Sequence, residues 1–201
     1  MTPRGKAVEH VDNWAGFGGK KPAAVPAPRH PELSTESIEY ETPPDFFDVL
    51  NRKFGFTLDV CSTAANAKCR RFFTVRENGL AQKWLDEDGH PARCWMNPPY
   101  GDDELMRWMA KAHAEALEGA TVVCLVPART HTQWFHRLCG KAEVLFLRGR
   151  LRYVGTSGEA PFAQLVVIFR PGLARPWGMK TWEWRPRTKQ KLLAFSSELS
   201  A

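Results

Sequence analysis

The sequence predicts an α/β domain built on a mostly parallel sheet with a closing antiparallel hairpin, and three observations carry that expectation. From residue 36 onward, short β-branched runs alternate with amphipathic ones, a pattern that lays strands side by side through right-handed crossover connections. The last two apolar runs, 151–154 and 162–169, are separated by a Gly/Pro-containing loop with no helical pattern, which reads as a hairpin added near the sheet edge. The chain has 201 residues, 43% of them hydrophobic and 25% charged. A chain of that size buries about 70% of its unfolded surface, so one domain needs no disulfide or metal staple.

Taken in order, Pro43 and Pro44 open a helix over 45–54 with Phe46, Phe47, Val49 and Leu50 on its apolar face, and Gly55 stops it. Residues 56–61 (Phe-Thr-Leu-Asp-Val-Cys) read as a buried strand, and 71–75 as a brief one. A short helix is expected around 80–84, then an acidic loop, then a strand over 92–96. The 103–117 segment is a helix with acids in its first turn and Gly119 at its stop. Residues 121–126 form a β-rich strand, 130–139 a helix and 142–147 another strand. The result is Rossmann-like, and ligands on such sheets bind outside the carboxyl ends of the strands.

The net charge of +6 is unevenly spread. Residues 1–35 are Pro/Gly-rich without apolar period and read as a flexible arm; 36–170 form the domain; 171–201 form a basic tail. In that tail Trp177, Trp182 and Trp184 lie among Arg175, Lys180, Arg185, Arg187, Lys189 and Lys191. Cations interleaved with flat rings suit a nucleic-acid backbone and exposed bases, and tryptophans packed back on the domain are the equal alternative. No uncharged stretch approaches the roughly 20 residues needed to cross a bilayer. No basic start followed by an apolar run marks a signal peptide. Five cysteines without a C-x-x-C pair point to reduced thiols in a cytoplasm, with no structural zinc.

The sharpest signal is Cys94-Trp95-Met96-Asn97-Pro98-Pro99-Tyr100-Gly101, where a strand ends at an Asn followed by two prolines and an aromatic. The prolines remove two N–H donors. An Asn oxygen, a neighbouring carbonyl and an aromatic face can together accept and stack a planar amino group. A rigid strand-ending turn is the structural alternative.

Here the sequence resembles the phage-type DNA N6-adenine methyltransferases, which depend on S-adenosylmethionine. The matching runs are Glu41-Thr42-Pro43-Pro44-Asp45-Phe46-Phe47, Phe54 to Cys61, Asn66-Ala67-Lys68-Cys69, Asn78-Gly79-Leu80, Trp84 and Trp95 to Gly101. Val126 to Thr130, Trp134-Phe135, Gly149-Arg150-Leu151 and Ala160-Pro161-Phe162 fit as well. The resemblance implies a class I methyltransferase sheet and transfer of a methyl group to adenine N6 in double-stranded DNA, with the target base flipped out.

It further implies that Asn97, Pro98, Pro99 and Tyr100 form the catalytic motif, with Tyr100 as the stacking platform. On the cofactor side it implies Asp59 for the methionine ammonium, Cys61 and Ser62 after it, and Tyr40, Thr42 and Pro43 over the carboxylate. Asn78 and Leu80 would meet the cofactor adenine, and Asn66 its ribose. Each has a structural alternative: a capping acid for Asp59, a helix cap for Thr42, a plain turn for Asn78. Arg129, Arg148 and Arg150 are candidate contacts to substrate phosphates, or ordinary surface charges, with Arg152 continuing the row. No metal is expected. Two other functions share features with this one: a methyltransferase of the same motif acting on protein glutamine or RNA, and a non-catalytic DNA-binding relative.

Overall fold

The computed structural model describes residues 40–172 and 178–185. The 1–35 arm and Arg175, Trp177, Arg187, Lys189 and Lys191 of the basic tail lie outside them. Among the described residues seven strands form one sheet: β1 (Leu58–Asp59), β2 (Arg71–Phe72), β3 (Arg93–Met96), β4 (Thr121–Pro127), β5 (Glu143–Leu147), β6 (Gln164–Phe169) and β7 (Met179–Trp182). Their spatial order is β2-β1-β3-β4-β6-β5-β7. Only β6 runs against its neighbours β4 and β5; the other pairings are parallel. The fold is thus the expected Rossmann-like α/β sheet, mostly parallel with an antiparallel closure.

The central strands are apolar on both faces because both faces are covered. On one side Cys94, Met96, Val122, Cys124, Val126, Leu165 and Val167 share a core with helices α2 (Asp102–Leu117) and α3 (Gln133–Leu138). On the other, Trp95, Val123, Leu125, Val166 and Ile168 pack with α1 (Pro44–Phe54). The alternation follows the two-residue pleat. Gly55 ends α1 in the left-handed region (φ 59°), its N–H returning to the Asn51 carbonyl, a conformation that favours a residue without Cβ.

Two expected elements are absent. Residues 80–84 form turns rather than a helix. The Trp84 N–H that a helix would direct backward goes instead to a Glu115 carboxylate oxygen (3.1 Å), and the Trp84 indole folds back to the Gly79 carbonyl (2.8 Å). So short a run cannot offset helix nucleation against those bonds. Residues 151–154 keep the strand alternation, Leu151 and Tyr153 inward, but have no partner strand among the described residues. Their backbone groups pair elsewhere: Val154 N–H with the Glu41 carbonyl, Leu151 N–H with Gln164 Oε1, and the Leu151 carbonyl with Ala160 N–H. The hairpin arm that closes the sheet is therefore β5 with β6, joined by the long 148–163 loop.

The sheet also continues past residue 170. β7 pairs in parallel with β5 from Val144↔Met179 to Leu147↔Trp182. Trp182 and Trp184 are buried, both against Phe46. Of the two readings of the tail tryptophans, these two follow the packing one.

Candidate active site

The parallel strands β1, β3 and β4 end on one edge of the sheet, and β6, running oppositely, begins there. Four segments therefore meet at that edge: Asp59–Ser62 after β1, Asn97–Tyr100 after β3, Arg129 after β4, and the 148–163 loop leading into β6. The segment Tyr40–Pro43 before α1 crosses the same place.

Asn97 is its centre. The Asn97 Nδ2 donates to the Tyr40 carbonyl (2.6 Å) and to Thr42 Oγ1 (3.1 Å). A carbonyl can only accept, so this bond fixes which way the amide faces. The Oδ1 is turned to the other side, where the Tyr100 hydroxyl donates to it at 2.7 Å. Thr42 thus meets Asn97 rather than capping the helix, which begins at Pro44 without a side-chain cap.

Around Asn97 Oδ1 stands a box of four rings. Tyr40 stacks on Tyr100, with centroids 5.4 Å apart and planes 20° from parallel. Tyr153 lies 4.9 Å from Tyr40, and Phe162 meets Tyr40 and Tyr100 edge-on at 5.2 and 5.7 Å. Offset and edge-on rings of this kind present flat faces suited to a planar guest. Burial pushes the Tyr100 and Tyr153 phenols above their usual range, so both are neutral donors and acceptors, not bases. Arg129 braces the turn, its guanidinium donating to the Tyr100 carbonyl at 2.9 Å.

The second half of the site follows β1. Asp59 is 2% exposed. Its carboxylate accepts the N–H of Lys68 (2.9 Å) and of Cys61 (3.4 Å). Burial nevertheless dominates and raises it to about 6. Such a carboxylate is short of a cation. Close by in the chain, Ser62 Oγ is buried with no hydrogen-bond partner among the described residues. A desolvated acid and an unmet hydroxyl fit a ligand that carries both an ammonium and a polar group. The Cys61 thiol adjoins both halves: burial and then the Asp59 charge push it up, against the pull of the Asn97 N–H. It stays a neutral thiol, not a nucleophile.

Gly79 explains how Asn78 and Leu80 reach this edge. A Cβ at position 79 would stand 2.2 Å from the Val60 carbonyl and 3.1 Å from the Trp108 ring, so only glycine lets the 78–80 turn lie against the end of β1. Asn78 itself is exposed with φ 55°, a conformation Asn tolerates better than most residues. We expect Gly79→Ala to cost about 1–3 kcal/mol through that overlap, read as a lowered melting temperature, and to weaken ligand binding at this edge. A melting temperature equal to that of the unaltered protein would contradict the close approach.

Not every expected residue joins the site. Asn66 is engaged in its own turn, where Oδ1 accepts the Thr63 N–H at 2.7 Å. Arg148, Arg150 and Arg152 are exposed on the 148–163 loop, opposite the inward Leu151 and Tyr153. Arg148 reaches Glu183 (3.4 Å), Arg150 the Ala160 carbonyl (3.2 Å) and Arg152 the Ser157 carbonyl (2.5 Å). Tyr153, Phe162 and Gly79 are site residues that sequence reasoning misses. The alternation of Leu151 and Tyr153 with the arginines is the signal for Tyr153. Gly79 stands in a matching run, but the reason for it, a close approach to the Val60 carbonyl and the Trp108 ring, is not visible there. Asp86, Asp88 and His90 gather on one exposed turn, where Asp86 Oδ1 accepts the N–H groups of Asp88 (3.0 Å) and His90 (2.9 Å).

Comparison with known proteins gives a family and two relatives. The family model for DNA N-6-adenine-methyltransferase (Dam) matches residues 33–182. A DNA N-6-adenine-methyltransferase of Haemophilus phage HP1 (strain HP1c1) is 29% identical over 124 residues, covering 58% of this chain and 68% of the relative. YfdM of Escherichia coli (strain K12), named as a candidate methyltransferase, is 35% identical over 75 residues, covering 36% of this chain and 81% of that protein. No helix among the described residues is long and apolar enough to cross a membrane.

Proposed function

Given that the chain belongs to the DNA N-6-adenine-methyltransferase family, we propose that it transfers the methyl group of S-adenosylmethionine to N6 of an adenine flipped out of duplex DNA. The observation that carries this reading is the fixed Asn97 amide, whose acceptor oxygen faces into an aromatic box at the carboxyl edge of the sheet. S-adenosylmethionine, when bound, supplies an electrophilic methyl group.

The chain supplies orientation. The N6 lone pair of adenine is delocalised into its ring and is a weak nucleophile. Hydrogen bonds from its two N–H groups to Asn97 Oδ1 and the Pro98 carbonyl concentrate charge on the nitrogen and hold it in line for transfer. Tyr100 stacks on the base, which cannot be reached inside a duplex. Pro98 and Pro99 keep the turn rigid and free of competing donors. Among the described residues the groups bonded to Asn97 are hydroxyls and a carbonyl, none of them a base, so the N6 proton leaves to water after the methyl arrives.

For the cofactor, Asp59 would pair with the ammonium and Ser62 would meet a polar group. Tyr40, Thr42 and Pro43 would cover it, with Cys61, Asn78 and Leu80 along its length. Arg148 and Arg150, on the loop that carries Tyr153, would meet phosphates, and Arg129 would act by bracing Tyr100.

The test is incubation with labelled S-adenosylmethionine and separate pools of DNA, RNA and protein. Label in DNA alone is expected, and label confined to RNA or protein overturns the substrate assignment.

Asp59→Asn should weaken S-adenosylmethionine binding roughly ten- to a hundred-fold, the equivalent of one charge-assisted hydrogen bond. The native carboxyl titrates near 6 against its ordinary 3.8. Between those values the folded state holds a proton that the unfolded state has lost, so stability without cofactor falls as pH rises through this window. Cofactor affinity runs the other way and drops below about pH 6, where the carboxyl is neutral. Calorimetry from pH 5 to 8 checks both. An affinity independent of pH and of the Asn substitution would leave Asp59 as a loop cap.

A further inference from the structure

Asp59 has a lysine beside it whose charge goes elsewhere. The Lys68 N–H donates to Asp59 Oδ2 at 2.9 Å, yet the ammonium of the same residue bonds to Glu41 Oε1 at 3.0 Å. Glu41 lies on the Tyr40–Pro43 segment, where its carbonyl accepts the Val154 N–H at 3.0 Å. The pair is enclosed, the Lys68 side chain being 14% exposed and that of Glu41 33%. Burial raises the Asp59 carboxyl, and the Lys68 ammonium offsets this less than the two N–H groups do. Burial and then the Asp59 charge push the Cys61 and Cys69 thiols up, so neither carries charge. Two carboxylates thus lie around one lysine, and Glu41 holds it.

This division decides what Asp59 can bind. A lysine ammonium rides on a flexible four-carbon stem. With its backbone N–H already on Asp59, the Lys68 side chain can reach the same carboxylate. There it would take the place of a ligand's amino group. An enclosed ammonium deprived of one carboxylate turns to the next, because an unpaired charge in such a place is costly. We propose that Glu41 is a positioning residue for the cofactor site: it holds the Lys68 ammonium aside and so keeps Asp59 open to the amino group of S-adenosylmethionine. Glu41 acts through Lys68. The loaded site then contains two matched pairs, Asp59 with the ligand ammonium and Glu41 with Lys68. The inference rests on the reading of Asp59 as the ammonium's partner.

Glu41→Gln keeps the shape of the side chain and removes its charge, which releases Lys68 to Asp59. We expect S-adenosylmethionine affinity to fall roughly three- to thirty-fold, because a charge-assisted bond within the protein now competes with the ligand's. Lys68→Met removes the competitor and keeps the N–H that holds Asp59. Alone it should change the affinity little, and added to Glu41→Gln it should restore what that substitution loses. A pair that merely tied down the 40–43 segment would behave differently, with all three variants losing affinity alike. Calorimetry at a pH well above the Asp59 titration, with a thermal melt of each variant, reads the whole cycle.

Three affinities overturn the proposal: no loss in Glu41→Gln, an equal loss in Lys68→Met, or a double variant no better than Glu41→Gln. A Glu41→Gln protein that no longer melts cooperatively would also overturn it, since the pair would then serve the fold. If the unaltered protein binds no S-adenosylmethionine, or Asp59→Asn binds it equally well, the reading of Asp59 fails instead, and this inference with it.

Discussion

Asn97→Ala should reduce methyl transfer by roughly a hundred- to a thousand-fold or more, the usual cost of deleting one oriented hydrogen-bonding group at a reacting centre. Cofactor affinity should stay within a few-fold. The two readouts separate the roles of the side chain. Its oxygen faces the aromatic box, whereas its nitrogen ties down Tyr40 and Thr42. Asn97→Asp keeps an acceptor toward the box but sets a carboxylate against the Tyr40 carbonyl, so it should retain part of the activity and lose some stability. If Asn97→Ala weakens cofactor binding as much as turnover, the residue works by tethering the 40–43 segment. A folded Asn97→Ala protein with near-normal turnover would refute the assignment outright.

Truncation after Phe169 should leave a chain that does not reach the native fold. It removes β7 and with it the ladder to β5, including the Arg148 N–H to the Trp182 carbonyl at 2.9 Å. It also removes Trp182 and Trp184 from around Phe46, 5.7 and 4.9 Å from its ring. Each buried tryptophan deleted costs about 3–5 kcal/mol, against a total stability of about 5–15 kcal/mol. Circular dichroism on heating checks this directly. A second truncation, after Arg185, keeps both tryptophans while removing Arg187, Lys189 and Lys191. If those cations hold phosphates, the salt slope of DNA binding should flatten by about 0.9 for each phosphate no longer neutralised. A cooperative melt near that of the full protein after truncation at Phe169 would contradict the packing of β7.

Much of this architecture is legible in the sequence because its signals are local. The 121–126 run marks a strand buried on both faces, and Gly55 and Pro44 punctuate α1 where a left-handed residue and a helix start are needed. Asn97-Pro98-Pro99-Tyr100 stands out for the same reason, since the turn and its Tyr100–Asn97 hydrogen bond lie within four consecutive residues. What the sequence does not reveal depends on interactions between distant segments. β7 is four residues in a basic stretch, and only its pairing with β5 and the packing on Phe46 make it part of the sheet. The 80–84 helix fails because Trp84 is claimed by Glu115 and Gly79. Thr42 reads in sequence equally as a cofactor contact or as a cap, and what excludes the cap is Asn97, 55 residues away. The aromatic box has the same character: Tyr40, Tyr100, Tyr153 and Phe162 come from three separate segments, and their sequence neighbours say nothing of one another.

If Asn97 presents a DNA adenine amino group for methylation, the product itself will show it. The most direct measurement is to methylate unmodified DNA with labelled S-adenosylmethionine, digest the product to nucleosides and identify the labelled one, with Asn97→Ala in parallel. All label should appear as N6-methyldeoxyadenosine and fall with the substitution. Label on another nucleoside, or on N6 at an undiminished rate in Asn97→Ala, would contradict that role.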